Sequence, residues 1–75
     1  RLMAGRLGSV KPREFMAKLK RAGFVVDHQT GSHAILRDTK GTRLVVPIHA
    51  REMKCGLLLD LLKQASLTVE DFQKL

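Results

Sequence analysis

The stretch FVVDHQTGSHAILRDTKGTRLVVP, residues 24–47, determines the fold class of this sequence. Three short runs rich in β-branched residues lie at 24–28, 33–37 and 43–46, and each has the length of a strand. The segments between them contain Gly31 and Gly41, and glycine favours tight turns because it adopts positive φ without strain. The stretch therefore predicts three strands on short turns, which form an antiparallel meander.

Helical patterns flank this meander on both sides. Residues 12–22 begin with a proline, which suits the first turn of a helix, and they place Phe15 and Leu19 on one apolar stripe. Residues 53–65 carry leucines at helical spacing, which predicts a second helix. Thr68 begins a short last helix, because Asp71 three positions later completes a capping box. The predicted order is α-β-β-β-α-α, an α+β fold with helices packed on a three-stranded antiparallel sheet.

The size of the chain limits its organisation. Seventy-five residues suffice for one small domain, expected over residues 11–75. Residues 1–10 are expected to be an N-terminal extension, either native or left by cloning. Cys55 is the single cysteine, so an internal disulfide is impossible and we expect an intracellular protein. The apolar stretches are shorter than the roughly 20 residues that span a bilayer, so we expect no membrane segment.

The charge of the chain points to a polyanionic partner. The formal net charge is +7, with 14 basic and 7 acidic residues. The sequence lacks Trp and Tyr, and its three Phe lie at predicted core positions, which argues against recognition by base stacking. The alternative is that the excess of basic residues only keeps the domain soluble. The residues expected to form a basic track for phosphates are Lys11, Arg13, Lys18, Lys20, Arg21, Arg37, Lys40, Arg43, Arg51 and Lys54.

Histidine is the remaining candidate for catalysis, because the sequence has few acidic residues and lacks a phosphate-binding glycine loop and a nucleophilic serine motif. His33 has the best position, since it begins the second predicted strand and shares a face with Ile35 and Arg37. Its imidazole can take a proton from a ribose 2′-hydroxyl or protonate a leaving 5′-oxygen, while the Arg37 guanidinium neutralises charge on the phosphate. The alternative is a surface histidine without a catalytic role.

The other two histidines have weaker positions. His28 ends the first predicted strand beside the turn, where an exposed turn histidine is the simpler interpretation. His49 follows the third strand, and structural or phosphate-positioning use is favoured there over catalysis. A metal site from the three histidines and Cys55 lacks the spacing of common ligand pairs, and Cys55 is expected to be a small hydrophobe or a mild thiol.

Several motifs occur in a fixed order over residues 11–75. They are Leu19-Lys20-Arg21-Ala22-Gly23-Phe24, Gly31-Ser32-His33 with Arg37, Val46-Pro47-Ile48-His49, Gly56 before Leu61-Leu62-Lys63-Gln64-Ala65, and Val69-Glu70-Asp71-Phe72. In this order and spacing they resemble the HicA family of small toxins. Leu57 departs from the family pattern, which often has a small hydroxyl residue there, and Cys55 stands where a basic residue is common.

This resemblance implies a double-stranded-RNA-binding-domain-like fold and an mRNA interferase of a toxin–antitoxin pair. It implies that His33 is the catalytic histidine, that mRNA is cut in the cytoplasm without a metal or other cofactor, and that a HicB-type antitoxin binds the toxin and blocks its site. The residues that we expect to bind or position RNA are Ser32, Arg37, Lys40, Arg43 and His49.

Two functions from other classes compete with this hypothesis. The first is a non-catalytic RNA-binding module on the same fold, since a fold does not determine a function. The second is an interaction protein whose basic surface only holds an acidic partner. Replacement of His33 distinguishes them, because a binder tolerates it and an enzyme loses turnover.

Overall fold

Residues 8–75 form three antiparallel strands and three helices, and they are the part of the chain that this computed structural model describes. The order confirms the predicted α+β fold and is consistent with a double-stranded-RNA-binding-domain-like fold. Residues 1–7, most of the expected N-terminal extension, lie outside the described residues. The elements are α1 (Pro12–Arg21), β1 (Val25–Thr30), β2 (His33–Arg37), β3 (Arg43–Pro47), α2 (Cys55–Gln64) and α3 (Val69–Lys74).

The hydrophobic core lies between one face of the sheet and the helices. β2 is the central strand, and Ala34 and Leu36 pair with Val46 and Leu44 of β3, so these four side chains share one face. All four are buried against the apolar stripes of α1, α2 and α3. The core residues are Phe15, Leu19, Phe24, Ala34, Leu36, Leu44, Val46, Met53, Leu58, Leu61, Leu62 and Phe72.

The helices leave β1 uncovered. β1 is an edge strand, and all six of its residues are exposed, including the two apolar ones, Val25 and Val26. The helical layer therefore covers β2 and β3 alone, and the opposite face of the whole sheet is open to solvent.

Lys18 joins the first helix to the last one. Its Nζ donates a hydrogen bond to the carbonyl oxygen of Phe72 at 3.2 Å and lies 4.7 Å from the centre of the Phe72 ring, a cation–π distance. The Phe72 ring in turn packs at 5.6 Å from the ring of Phe15. The prediction that Lys18 contributes to a basic track is therefore not supported, because its ammonium is used in packing.

Two element boundaries differ by two residues from the sequence-based expectation, and the other differences are of one residue. β1 continues through Gln29 and Thr30, which were expected in the turn, because their backbones pair with Ala34 and His33 and leave a turn of two residues. α2 begins at Cys55 rather than at residue 53, because the backbone of Met53 pairs with that of Val10 through two hydrogen bonds of 2.7 and 3.1 Å.

The covered face of the sheet is the one that packs against the helices, and it predicts how Leu36 and Val25 differ in their contribution to the free energy of unfolding. Leu36 is fully buried on the central strand, so Leu36→Ala should lower the free energy of unfolding by about 2–5 kcal/mol. Val25 is 61% exposed on the edge strand, so Val25→Ala should change it by less than about 0.5 kcal/mol. Urea unfolding measures both, and equal losses would contradict the assignment of the covered face.

The capping box of α3 predicts an acid dependence of stability. The Thr68 amide donates a hydrogen bond to Asp71 Oδ2 at 3.0 Å, and the Asp71 amide donates one to Thr68 Oγ1 at 2.9 Å. The bond from the Thr68 backbone is the main cause that lowers the pKa of Asp71. Because the folded-state pKa lies below the unfolded one, this stabilisation is complete above the unfolded pKa and is lost as the pH falls through the folded pKa.

Urea unfolding at a series of acidic pH values measures this effect. We expect Asp71→Asn to be less stable than the wild type at neutral pH, with the gap between them closing as the pH falls. A gap that stays constant over the whole acid range would show that the Asp71 carboxylate does not stabilise the helix.

Candidate active site on the open face of the sheet

The face of the sheet opposite the helices, called the open face below, is defined by the strand register. On β2, His33, Ile35 and Arg37 point to this face, which confirms their predicted alternation with Ala34 and Leu36. Residues directly opposite one another in an antiparallel pair share a face. The residues that flank the three β2 side chains are therefore Thr30, His28 and Val25 on β1, and Pro47, Val45 and Arg43 on β3.

Ile35 is the apolar floor of the open face. It lies outside the helix-facing core, yet only 4% of it is exposed. Its cross-strand neighbours are His28 and Val45, and both of these are exposed. The polar side chains of the open face thus surround the buried side chain of Ile35.

His33 is exposed at the beginning of β2. The preceding turn is Gly31-Ser32, and Gly31 has a φ of +54°, the left-handed conformation that glycine favours at the first position of type II′ hairpin turns. The Ser32 Oγ lies 3.5 Å from the His33 Nδ1, at the limit of a hydrogen bond. The other ring nitrogen, Nε2, has no hydrogen-bond partner among residues 8–75 and is therefore available to a ligand. This geometry fits a proton-transfer group.

His49 lies at the same end of the sheet as His33. The Ile48 amide donates a hydrogen bond of 2.9 Å to the carbonyl oxygen of Ser32, and this bond ties the turn after β3 to the turn before β2. His49 is exposed in that second turn. The structure therefore places Ser32, His33 and His49 at the same end of the sheet.

The predicted cations lie at the other end of the sheet. Arg37 and Arg43 are directly opposite each other, and Lys40 lies in the turn that joins their strands. The Cα of Arg37 is about 13 Å from that of His33, because four residues of a strand each rise about 3.3 Å. Ser32, His33 and His49 thus form one group, and Arg37, Lys40 and Arg43 form another.

The two opposed arginines make this second group a candidate anion site. Like charges directly opposite in a sheet repel each other, and a bound anion relieves that repulsion. Arg37 is partly neutralised, because its Nε lies 3.4 Å from Asp27 Oδ2. The guanidinium of Arg43 makes no ion pair with any residue in 8–75, so it is available for a phosphate.

His28 is exposed, as expected, but it lies within β1 and not beside a turn. The register shifts between Val26 and His28, which makes Asp27 the extra residue of a β-bulge. The Nδ1–H of His28 donates to Asp27 Oδ2 at 2.7 Å, and this bond is the main cause that lowers the pKa of Asp27, with Arg37 lowering it further. A carboxylate can only accept a hydrogen bond, so the His28 Nδ1 carries the proton of this bond, and the His28 side chain is exposed.

Sequence reasoning did not identify Asp27. The strand was expected to end at residue 28, and an unbroken strand would have put Asp27 and His28 on opposite faces. The available signal was the adjacent Asp-His pair within a β-branched run that also continued into polar residues. The bulge brings both side chains to the open face, where they join Arg37.

The predicted basic track is divided between two sides of the molecule. Phe15 and Leu19 of α1 face the sheet, so Arg13, Lys20 and Arg21, which are exposed, lie on the side remote from the open face. They therefore lie on a different side of the sheet from Arg37 and Arg43.

Residues 8–75 contain neither a cluster of metal-ligating side chains nor a helix that could cross a membrane. Across residues 8–75, no cluster of three or more His, Cys, Asp or Glu side chains has the arrangement that would hold a metal ion. None of the helices in that range has the length and apolar character needed to cross a membrane. A groove of about 310 Å³ lies between the start of α1 and the loop after β3. Its lining includes Lys11, Arg13 and Arg51, together with Ile48 and Ala50 on either side of His49.

Comparison with known proteins identifies one related family. The sequence model of the HicA toxin of bacterial toxin–antitoxin systems matches residues 12–67, well over half of the chain. The match spans α1, the whole sheet and α2, and so includes every residue of the open face. No curated protein matches the chain.

The open face predicts which cation contributes to binding of a single-stranded polyanion. Arg43→Gln should weaken the binding of a 2′-O-methyl RNA oligonucleotide. It should also lower the magnitude of the slope of log affinity against log salt by about 0.7, because the protein then neutralises one phosphate fewer on a single strand. Lys63→Gln, which removes the same charge from the exposed side of α2, is the matched control and should leave both unchanged. Fluorescence anisotropy at several salt concentrations measures them, and equal effects of the two variants would exclude the open face.

Proposed function

The chain belongs to the HicA family of bacterial toxin–antitoxin toxins, and we propose that it is a metal-independent endoribonuclease that cleaves mRNA, with His33 as general acid or base. Membership of the family implies a toxin with a cognate antitoxin partner. The observation that carries the proposal of catalysis is the position of His33 in its Gly31-Ser32-His33 turn, exposed on the open face with Nε2 free.

The proposed reaction is an intramolecular transesterification. The ribose O2′ attacks the adjacent phosphorus, the O2′–P bond forms, and the P–O5′ bond breaks. One proton leaves O2′ and one is delivered to O5′, so the products are a 2′,3′-cyclic phosphate and a free 5′-hydroxyl. An imidazole suits either transfer near neutral pH, since its ordinary pKa lies there, and His33 carries out one of the two.

The cations of the open face hold the strand rather than the reacting phosphate. Arg37, Arg43 and Lys40 lie near the far end of β2 from His33, so they are suited to a neighbouring phosphate of the same strand. Such contacts fix register and supply affinity but read no bases. Ser32 and His49 lie at the His33 end and are suited to position the cleaved linkage.

The proposed partners follow from the same face. A HicB-type antitoxin that covers His33 and the Arg37–Arg43 pair would block access of RNA to both groups. A strongly basic toxin favours an acidic or masking partner, because the complementary charges attract each other. The proposed substrate is mRNA in the cytoplasm.

Incubation of the protein with labelled single-stranded RNA in excess chelator tests the proposal. We expect the wild type to cut RNA but not the equivalent DNA, with 2′,3′-cyclic phosphate ends. His33→Ala should cut about 100- to 10,000-fold more slowly while still binding RNA, because proton transfer and phosphate contacts are separate functions.

The unchanged fold of His33→Ala is checked by its thermal unfolding, which should match the wild type because His33 is exposed. If both proteins bind RNA and neither cuts it, the chain is a non-catalytic RNA-binding module and not a ribonuclease. Cutting of DNA and RNA at equal rates would rule out the 2′-hydroxyl as nucleophile.

A further inference from the structure

We propose that His28, held by Asp27, is the second proton-transfer residue of the ribonuclease site and carries out the transfer that His33 does not. This inference rests on the proposed function. It concerns a residue pair, Asp27 and His28, that lies outside the Gly-Ser-His turn on the neighbouring strand.

The reaction requires two proton transfers at different places. A base removes the proton from O2′ on one side of the phosphorus, and an acid delivers a proton to O5′ on the other side, as the O2′–P bond forms and the P–O5′ bond breaks. Because the attacking and leaving oxygens are in line, one imidazole cannot contact both in the same transition state. A site with His33 alone therefore leaves one of the transfers to water.

The strand register puts His28 next to His33 on the open face. His33 is directly opposite Thr30, and His28 is two residues before Thr30 on the same strand. His28 and His33 are thus diagonal neighbours, which lie about 7–8 Å apart and within reach of each other's side chains. A gap of this size suits one phosphodiester linkage, whose 2′-hydroxyl donates a hydrogen bond of about 2.8 Å to the base while its O5′ accepts one from the acid.

Asp27 orients the His28 ring. Its Oδ2 accepts the Nδ1–H at 2.7 Å, which fixes the tautomer and leaves the Nε2 as the ring nitrogen for proton transfer. The same Oδ2 lies 3.4 Å from the Nε of Arg37, which holds the carboxylate from a second side. The β-bulge at Asp27 makes this possible, because it brings two consecutive side chains to one face.

Both histidines remain accessible to a strand of RNA. The His28 side chain is 48% exposed, and His33 is exposed at the end of β2. Ile35 is the residue directly opposite His28, and it is buried while His28 stays exposed. Open access, a fixed tautomer and a second imidazole at hydrogen-bonding range of one phosphate together distinguish His28 from an ordinary surface histidine.

The test compares His28→Gln and His33→Gln on two substrates under single turnover. The first is an RNA whose cut position is mapped with the wild type, and the second carries sulfur in place of O5′ at that position. A thiolate leaves without a proton, so loss of the general acid slows the oxygen substrate but not the sulfur substrate, whereas loss of the general base slows both. We expect His28→Gln to cut the natural RNA about 100- to 10,000-fold more slowly with unchanged affinity.

We further expect the sulfur substrate to restore the rate of one histidine variant and not of the other, which assigns acid and base. Gln29→Ala is the matched control, because Gln29 pairs with Ala34 and faces the helix side of the same strand, and it should cut at the wild-type rate. Asp27→Asn should lower the rate by less than His28→Gln, since it disturbs the position of the imidazole without removing it.

Three outcomes would overturn the inference. If His28→Gln cuts natural RNA as fast as Gln29→Ala while His33→Gln is inactive, the proposed function stands and His28 has no part in it. Rescue of neither variant by sulfur would show that His28 and His33 do not share the two transfers. A wild type that cuts neither substrate would refute the proposed function itself, and the inference with it.

Discussion

The packing of all three helices onto one face of a three-stranded sheet is the constraint on which the rest of the molecule depends. Leu36 and Leu44 are buried on that face against Phe15 and Leu19, and residues 8–75 contain no further element to cover the other side. One face of the sheet therefore provides the stability, and the other is left in water with its polar side chains. Because strand residues alternate between the faces, each residue of β2 is assigned either to the core or to the candidate site.

This division explains how much of the fold the sequence predicts. The alternation from His33 to Arg37 and the apolar stripe of α1 are strong local patterns, and both are confirmed. The end of β1 was not predictable in the same way, since Gln29 and Thr30 have turn-forming neighbours and join the strand only through pairing with β2. Met53 likewise fits a helical pattern, but a distant backbone pairing with Val10 takes precedence.

The candidate site was predictable in part, for the same reason. The motif around His33 is local and indicates its own turn, whereas the contribution of His28 depends on a β-bulge, which is a property of two strands together. The split between the cations of the sheet and those of α1 is also a tertiary effect. The sequence alone does not reveal that Arg13 and Arg43 lie on opposite sides of the sheet.

We propose that RNA is held and cut on the open face of the sheet. An NMR titration of the isotope-labelled protein with a 2′-O-methyl RNA that cannot be cleaved tests this proposal. The largest chemical-shift changes are expected on β1, β2 and β3, including the side chains of His33 and Arg43. Changes concentrated on the exposed side of α1, at Arg13, Lys20 and Arg21, would contradict it.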